Sequence, residues 1–129
     1  MSDLVQWLRE QLDEDERIAR EAPPGPWYIG GAVDPTKPCQ VNTFPDLRLV
    51  ADGLNWLVAE HIAVHNPARV LREIDAKRQV IARYEQAHQL WEGGAGNGAD
   101  AMRAGLLYCL QAHASVYADR PGYREAWRP

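Results

Sequence analysis

The sequence predicts an α+β fold: an N-terminal helix, a small three-stranded antiparallel sheet, then a long helical hairpin with a C-terminal aromatic tail. Three observations predict it. Apolar residues recur at helical spacing near the start of the chain and again from Asn55 onward. Between these stretches, short runs rich in β-branched and aromatic residues are separated by prolines and glycines. A glycine-rich turn, Gly93 to Gly98, then divides the second helical stretch, since glycine costs about 1 kcal/mol per helical position relative to alanine.

The first helix is predicted to begin at Ser2 or Asp3, since either side chain can cap it, and to run to about Ala22. Pro23 and Pro24 end it because proline cannot donate a backbone hydrogen bond. Its apolar positions form one stripe, which we expect to be buried: Leu4, Trp7, Leu8, Leu12, Ile18 and Ala19.

Three strands are predicted, at Trp27–Ile29, Gln40–Thr43 and Leu47–Val50. Prolines lie between them or at their edges, where a missing N–H group is tolerated. A meander of this size is marginal alone, so one of its faces should pack against a helix. Trp27 is the expected anchor of that contact.

Three further helices complete the predicted fold. Leu54, Leu57, Val58 and Ile62 are expected to line the buried face of a helix ending near His65, where Asn66 and Pro67 stop one helix and start the next. The longest helix should run from Pro67 to about Glu92 and the last from about Ala99 to Ala118, as an antiparallel hairpin. The expected inward-facing residues are Val70, Leu71, Ile74, Ile81, Tyr84, Trp91, Met102, Leu106, Leu107, Leu110 and Tyr117, and Tyr123 and Trp127 should close the core.

Length, charge and cysteine content limit the class of protein. The 129 residues fit one domain, residues 1–129, and the net charge of −4 disfavours a general nucleic-acid binder. No window approaches the ~18 apolar residues of a membrane span, and the N-terminus does not resemble a secretory signal, so we expect a cytoplasmic protein. Two cysteines do not make a disulfide framework, although a single disulfide stays open. We expect Cys39 to be exposed in a loop and Cys109 to be buried as a small hydrophobe.

Four segments together resemble a family of unknown function found in actinobacteria and their phages. They are LREQLDEDE near the start, PGPW after the first helix, EHIAVHNPARVLREIDAKR in the middle and YADRPGYREAWRP at the end. The resemblance spans nearly the whole chain. It implies kinship and origin, with the host cytoplasm as the location if the protein is phage-encoded, and it carries over no catalytic residue. Many relatives have a cysteine cluster before the last helix, where this chain has WEGGAGNGAD.

The candidate metal ligands are His61 and His65, which share a helix face because they are four residues apart. A zinc site would need a third ligand, for which Cys109, His113 and Cys39 are the candidates. The other interpretation is that both histidines flank the buried stripe and bond backbone or carboxylate groups. We favour it because the ligand set is incomplete, and we expect no cofactor.

Two charged surfaces are candidate interaction sites. The acidic run offers Asp13, Glu14 and Glu16, and the long helix offers Arg69 and Arg72. Acid-first pairs four apart, Asp13–Arg17 and Glu16–Arg20, should reduce the field of the first surface. Glu73 should pair with Lys77 on the second, which also lacks the interleaved aromatic residues of single-strand readers. A solvated face is the favoured interpretation of both.

No constellation of residues converges on chemistry, so the sequence predicts a non-enzymatic accessory or protein-interaction protein. A zinc-binding protein using His61 and His65 is the first alternative. An inhibitor that binds a host protein complex through its acidic helix is the second. A homodimer is also open if Tyr84, His88 and Trp91 are left uncovered.

Overall fold

A computed structural model describes residues 2–31 and 34–129. The elements in chain order are helix α1 (Ser2–Glu21), strands β1 (Trp27–Gly31), β2 (Cys39–Thr43) and β3 (Leu49–Leu54), helices α2 (Trp56–Val64), α3 (Pro67–Glu92) and α4 (Asn97–Ser115), and a 3-10 turn (Glu125–Trp127). This order confirms the predicted α+β fold. The third strand begins two residues later than predicted, and α4 begins at Asn97 and ends at Ser115.

The chain divides into two compact units. The first comprises the chain up to Glu14 together with Ile74–Pro129, and the second is Asp15–Glu73. Helices α1 and α3 each contribute residues to both units. That the two units fold as one domain stays a prediction.

The first unit is built on the first part of the stripe predicted for α1. The largest fully buried side chains of this unit are Leu4, Leu8, Leu12, Ile81 and Leu110. Farther along the predicted stripe, in the second unit, Ile18 is 50% exposed, so its expected burial is wrong. Trp127 is buried and lies 5.4 Å from Trp7 between ring centroids, with Tyr123 at 5.8 Å from the same ring. The predicted closure of the core by the aromatic tail is therefore confirmed.

A glycine allows the aromatic tail to approach α1 closely. The Trp7 indole nitrogen donates to the carbonyl of Pro121 at 3.0 Å. A Cβ on the next residue, Gly122, would lie only 2.7 Å from that nitrogen, and Gly122 has φ +89°. Only glycine allows both this close approach and this positive φ angle without strain.

Two contacts show that α3 and α4 run antiparallel in the first unit. Near the turn between them, the Arg103 guanidinium lies 4.0 Å from the centre of the Trp91 ring. At the other end, the Lys77 amine donates to the Tyr117 hydroxyl at 3.5 Å. The helical hairpin is thus formed as predicted, although Trp91 and Met102 are largely exposed.

The second unit contains the sheet, in which β1, β2 and β3 are neighbours in that order and antiparallel. The Arg48 amide donates to the buried Thr43 hydroxyl at 3.0 Å, and Leu47 has φ +54°. These residues therefore belong to the β2–β3 turn. This is why the third strand starts at Leu49 and not at Leu47.

One face of the sheet packs on α2, as predicted. Cys39, Val41 and Ala59 are buried at its centre, surrounded by Trp27, Ile29, Val50, Leu54, Trp56, Ile62 and Ala63. The Trp27 indole donates to the Pro23 carbonyl at 2.9 Å, which fixes the anchoring ring.

Both expectations about the cysteines are wrong. Cys39 is 2% exposed and its thiol donates to the Leu54 carbonyl at 3.3 Å, because β2 is the central strand. Cys109 is exposed, because the buried residues of α4 are Ala99, Leu110 and Ala114. Both thiols are free.

Asn66 joins α2 to α3 in the second unit. Its side-chain oxygen accepts from the Arg69 amide at 3.2 Å, so it caps α3 as predicted. Its side-chain nitrogen donates to the Ala63 carbonyl at 3.1 Å and satisfies one of the last carbonyl groups of α2. Among the residues described, no helix combines the length and the apolar character needed to span a bilayer.

Candidate functional site

Helix α2 carries His61 of the predicted histidine pair, and His65 follows it as the C-cap residue. The helix presents to solvent a face that the sequence assigned to the core. Leu57, Val58 and Val64 are 73%, 49% and 50% exposed. At 100° per residue, these three positions and both histidines fall within one third of the helix circumference. We call this surface the α2 face; it consists of Leu57, Val58, His61, Val64 and His65.

The predicted buried stripe of this helix is therefore wrong for Leu57 and Val58. Ile62 does pack inward, together with Trp56, Ala59 and Ala63, while Leu54 belongs to β3. The physical reason is that α2 is apolar on nearly every side. The sheet therefore decides which face is buried, and the face that it buries carries Ala59 together with Trp56, Ile62 and Ala63.

His61 and His65 lie side by side on the α2 face. Their ring centroids are 4.3 Å apart with an interplanar angle of 36°, and both residues are exposed. His65 Nδ1 lies 2.7 Å from the His61 carbonyl oxygen. A carbonyl oxygen only accepts, so Nδ1 carries the proton, and Nε2 of a neutral His65 is left with its lone pair.

The other proposed ligands do not complete this pair within the described part of the chain. Cys109 and His113 lie on α4 in the first unit, and Cys39 is buried against Leu54. Over residues 2–31 and 34–129, no three His, Cys, Asp or Glu side chains are grouped as metal ligands. Zinc binding by His61 and His65 stays a prediction.

The charged groups of the acidic run take part in ion pairs. In the first unit Asp13 accepts from Arg78 at 2.8 Å. In the second unit Glu16 and Arg20 lie 3.8 Å apart, as predicted, and Arg17 donates to Glu21 at 3.0 Å. Glu14 is exposed and also has an interaction partner.

The basic residues proposed for interaction lie at the start of α3. Arg69 donates to Glu73 at 3.0 Å and to the Val64 carbonyl at 3.3 Å, so its charge supports the end of α2. Arg69 is thus a partner of Glu73, whereas the sequence suggested that Glu73 would pair with Lys77. Arg72 is exposed.

The first unit contains an open hollow of about 930 Å³ that the sequence did not indicate. It is lined by Asp3, Val5, Gln6, Arg9, Tyr84, Glu85, His88, Gln89, Glu92 and Arg103. Arg9 forms an ion pair with Glu85 there, and His88 Nε2 lies 3.0 Å from the Glu92 carboxylate. Only the His88–Glu92 spacing is visible in the sequence, since the other groups come from three different helices.

Two polar atoms beside this hollow have no hydrogen-bond partner among the described residues. They are His88 Nδ1 and Arg103 Nε, and both are shielded from solvent. His88 stacks on Tyr84 with ring centroids 5.8 Å apart, and Arg103 covers Trp91. Tyr84 is buried, whereas Trp91 is 42% exposed, so the dimer face suggested for Tyr84, His88 and Trp91 is covered at Tyr84 and open at Trp91, and the homodimer stays a prediction.

Comparison with known proteins places the chain in a family. The sequence model described as "Family of unknown function (DUF6221)" matches residues 1–129, so the chain belongs to this family. No curated protein and no solved structure matches the chain.

Proposed function

We propose that this member of the DUF6221 family is a non-enzymatic accessory protein that acts by binding another protein through the α2 face. The observation that carries the proposal is the exposure of three aliphatic side chains, Leu57, Val58 and Val64, on a helix of nine residues. We place the protein in the cytoplasm and infer an actinobacterial or actinophage origin from the resemblance of its middle and terminal motifs.

The energetics favour association at this face. Burying a leucine or valine side chain contributes roughly 1.5–3 kcal/mol, so three of them, with the two imidazoles, can anchor a partner. Exposed apolar groups that cluster on one face mark interaction sites more often than isolated ones do. The five residues of the face include no Asp, Glu, Lys or Arg, and the charged groups of Glu60 and Arg69 lie at its edge. The partner it fits therefore has an apolar surface with little charge.

The face is held ready for binding by the second unit. Ala59 is fully buried against the sheet, and the Asn55 side chain caps the start of α2 by accepting from the Leu57 amide at 2.8 Å. Asn66 and Arg69 satisfy carbonyl groups at its end. A helix fixed at both ends loses little conformational entropy on binding, which improves affinity.

The non-enzymatic assignment is supported by how the charged side chains are used. Asp13, Glu16 and Arg69 are each engaged in an ion pair. Salt bridges of this exposed kind contribute little, typically below about 1 kcal/mol, and they are ordinary surface features.

A site-specific photo-cross-linker tests the proposal. Placed at Leu57, it should yield one defined adduct in an actinobacterial lysate, and the same group at Tyr108, which is 61% exposed on α4, should not. The adduct should disappear in the Val64→Glu variant and persist in high salt, because salt screens charges and leaves apolar contacts intact.

Three results would contradict the proposal. Equal adducts from Leu57 and Tyr108 would show that the α2 face has no preference for a partner. An adduct that high salt abolishes and Glu14→Gln weakens would favour the acidic inhibitor instead. Metal-dependent turnover lost in His61→Gln and His65→Gln would overturn the non-enzymatic assignment.

A further inference from the structure

We infer that His61 and His65 are one half of a four-histidine zinc site, and that a second copy of this chain, docked on the α2 face, supplies the other half. The inference rests on the proposed function, since it names the partner that the face receives. It accounts for two features at once: an incomplete ligand pair and the apolar surface around it.

The first step concerns which ring nitrogen can bind a metal. His65 Nδ1 donates its proton to the His61 carbonyl oxygen, which lies 2.7 Å from it, so Nε2 is left as the metal-binding atom. Metal-bound histidines commonly donate the other ring N–H to a carbonyl or carboxylate, which sets the tautomer and the ring orientation. The helix thus supplies such an outer partner for His65 from its own backbone.

The second step is the geometry of the pair. The two rings are 4.3 Å apart between centroids, on one exposed face, so one ion can approach both. Zinc binds imidazole nitrogen at about 2.0–2.1 Å and takes four ligands in structural sites. Two of those ligands are present, and none of the other described His, Cys, Asp or Glu side chains joins them in a group of three.

The third step is symmetry. A two-fold axis through the ion repeats the same two histidines and completes a tetrahedral set of four. Such an interface brings identical patches together, so a patch must tolerate contact with itself. The α2 face meets this condition because its aliphatic side chains carry no charge, whereas the chain as a whole carries −4 and repels its copy elsewhere.

The fourth step is the size of the contact. Nine residues of helix are about 14 Å long, and a face so short falls well below the ~800 Å² per partner that stable interfaces bury. Apolar burial alone therefore cannot hold the dimer. The association should require the metal, which distinguishes this site from an ordinary hydrophobic dimer.

Zinc titration of the tag-free full chain, first stripped with a chelator, tests the inference. Light scattering should show a monomer without metal and a doubling of mass with zinc, saturating at one zinc per two chains. Cobalt in place of zinc should give the intense visible absorption of a tetrahedral site. The chelator should restore the monomer.

Matched variants locate the site. His61→Gln and His65→Gln should each abolish zinc-induced dimerisation while unfolding like the parent, since both side chains are exposed. His113→Gln, which changes a histidine on α4, should dimerise like the parent. Leu57→Glu should weaken the dimer and leave the histidines in place.

The inference is overturned if no zinc binds, if zinc binds one per monomer, if the dimer survives the chelator, or if His113→Gln abolishes it. Its failure can be told apart from failure of the proposed function. A Leu57 cross-link to a different protein, without a zinc dimer, leaves the proposed function standing. Loss of the zinc dimer together with loss of every specific Leu57 cross-link removes both.

Discussion

Trp7 in α1 and Trp127 in the C-terminal turn lie with ring centroids 5.4 Å apart, so the two ends of the chain meet in one aromatic cluster. The Trp127 side chain is 6% exposed, and Tyr123 contacts both rings. The contact makes the terminal segment part of the core of the first unit. It also gives the first prediction.

Trp127→Ala should lower the free energy of unfolding by about 3–5 kcal/mol, because it removes a large buried ring and leaves a cavity beside Trp7. Urea denaturation followed by circular dichroism measures the loss. Tyr108→Ala is the control: that ring is 61% exposed, so the change should stay within about 0.5 kcal/mol. Equal effects in the two variants would contradict the burial of the tail.

Asn66 has two separable roles, and two substitutions distinguish them. Asn66→Ala removes both the cap of α3 and the bond to Ala63, and should cost about 0.5–2 kcal/mol or more. Asn66→Asp keeps an oxygen for the Arg69 amide, so it should recover most of that loss. If Asp proves as destabilising as Ala in urea denaturation, the bond to Ala63 would be the more important one.

His113 should make the protein less stable in mild acid. Partial burial lowers the pKa of His113 below its ordinary 6.5, and the nearby Lys77 charge lowers this pKa further. The unfolded chain therefore binds a proton more readily, so stability falls as the pH drops from about 6.5 toward the folded-state pKa.

Comparison of unfolding at pH 7.5 and pH 5.5 measures this effect. Between pH 7.5 and pH 5.5, the free energy of unfolding should fall less in His113→Gln than in the parent, because glutamine does not titrate. Leu90→Gln is the matched control: that side chain is 54% exposed and neither residue titrates, so the pH dependence should stay as in the parent. An unchanged pH dependence in His113→Gln would show that other groups cause the acid sensitivity.

The two thiols should differ sharply in reactivity. Cys109 is exposed, whereas Cys39 is buried in the central strand with its thiol bonded to Leu54. Iodoacetamide should therefore label Cys109 in the native protein and Cys39 only after unfolding, as read by mass spectrometry of peptides. Cys109→Ser should show almost no native labelling, and rapid native labelling of Cys39 would contradict the placement of β2.

Local signals in the sequence were enough to predict the elements and most of the first unit. The stripe of Leu4, Leu8 and Leu12 is continuous over about two and a half helical turns, so only one burial pattern fits it. The Asn66-Pro67 step stops α2 and caps α3 through interactions with residues close in the chain. The burial of Trp127 was predictable because a tryptophan in an otherwise polar segment is stabilised by contact with apolar residues.

The exposed face of α2, the exchanged environments of Cys39 and Cys109, and the hollow beside His88 were not predictable in this way. Leu57 and Ala59 are both apolar, and the local sequence does not rank them; the packing of α2 on the sheet decides that Ala59 is buried and Leu57 exposed. The hollow is lined by Arg9, His88 and Arg103, which lie on three different helices. A pattern of neighbouring residues in the sequence cannot indicate that they lie close together. The sequence by itself therefore determined which helices and strands form and in what order, because capping, proline stops and periodicity act over a few residues. Only the tertiary structure decided which faces meet solvent, because that depends on the shape of the surface each element packs against.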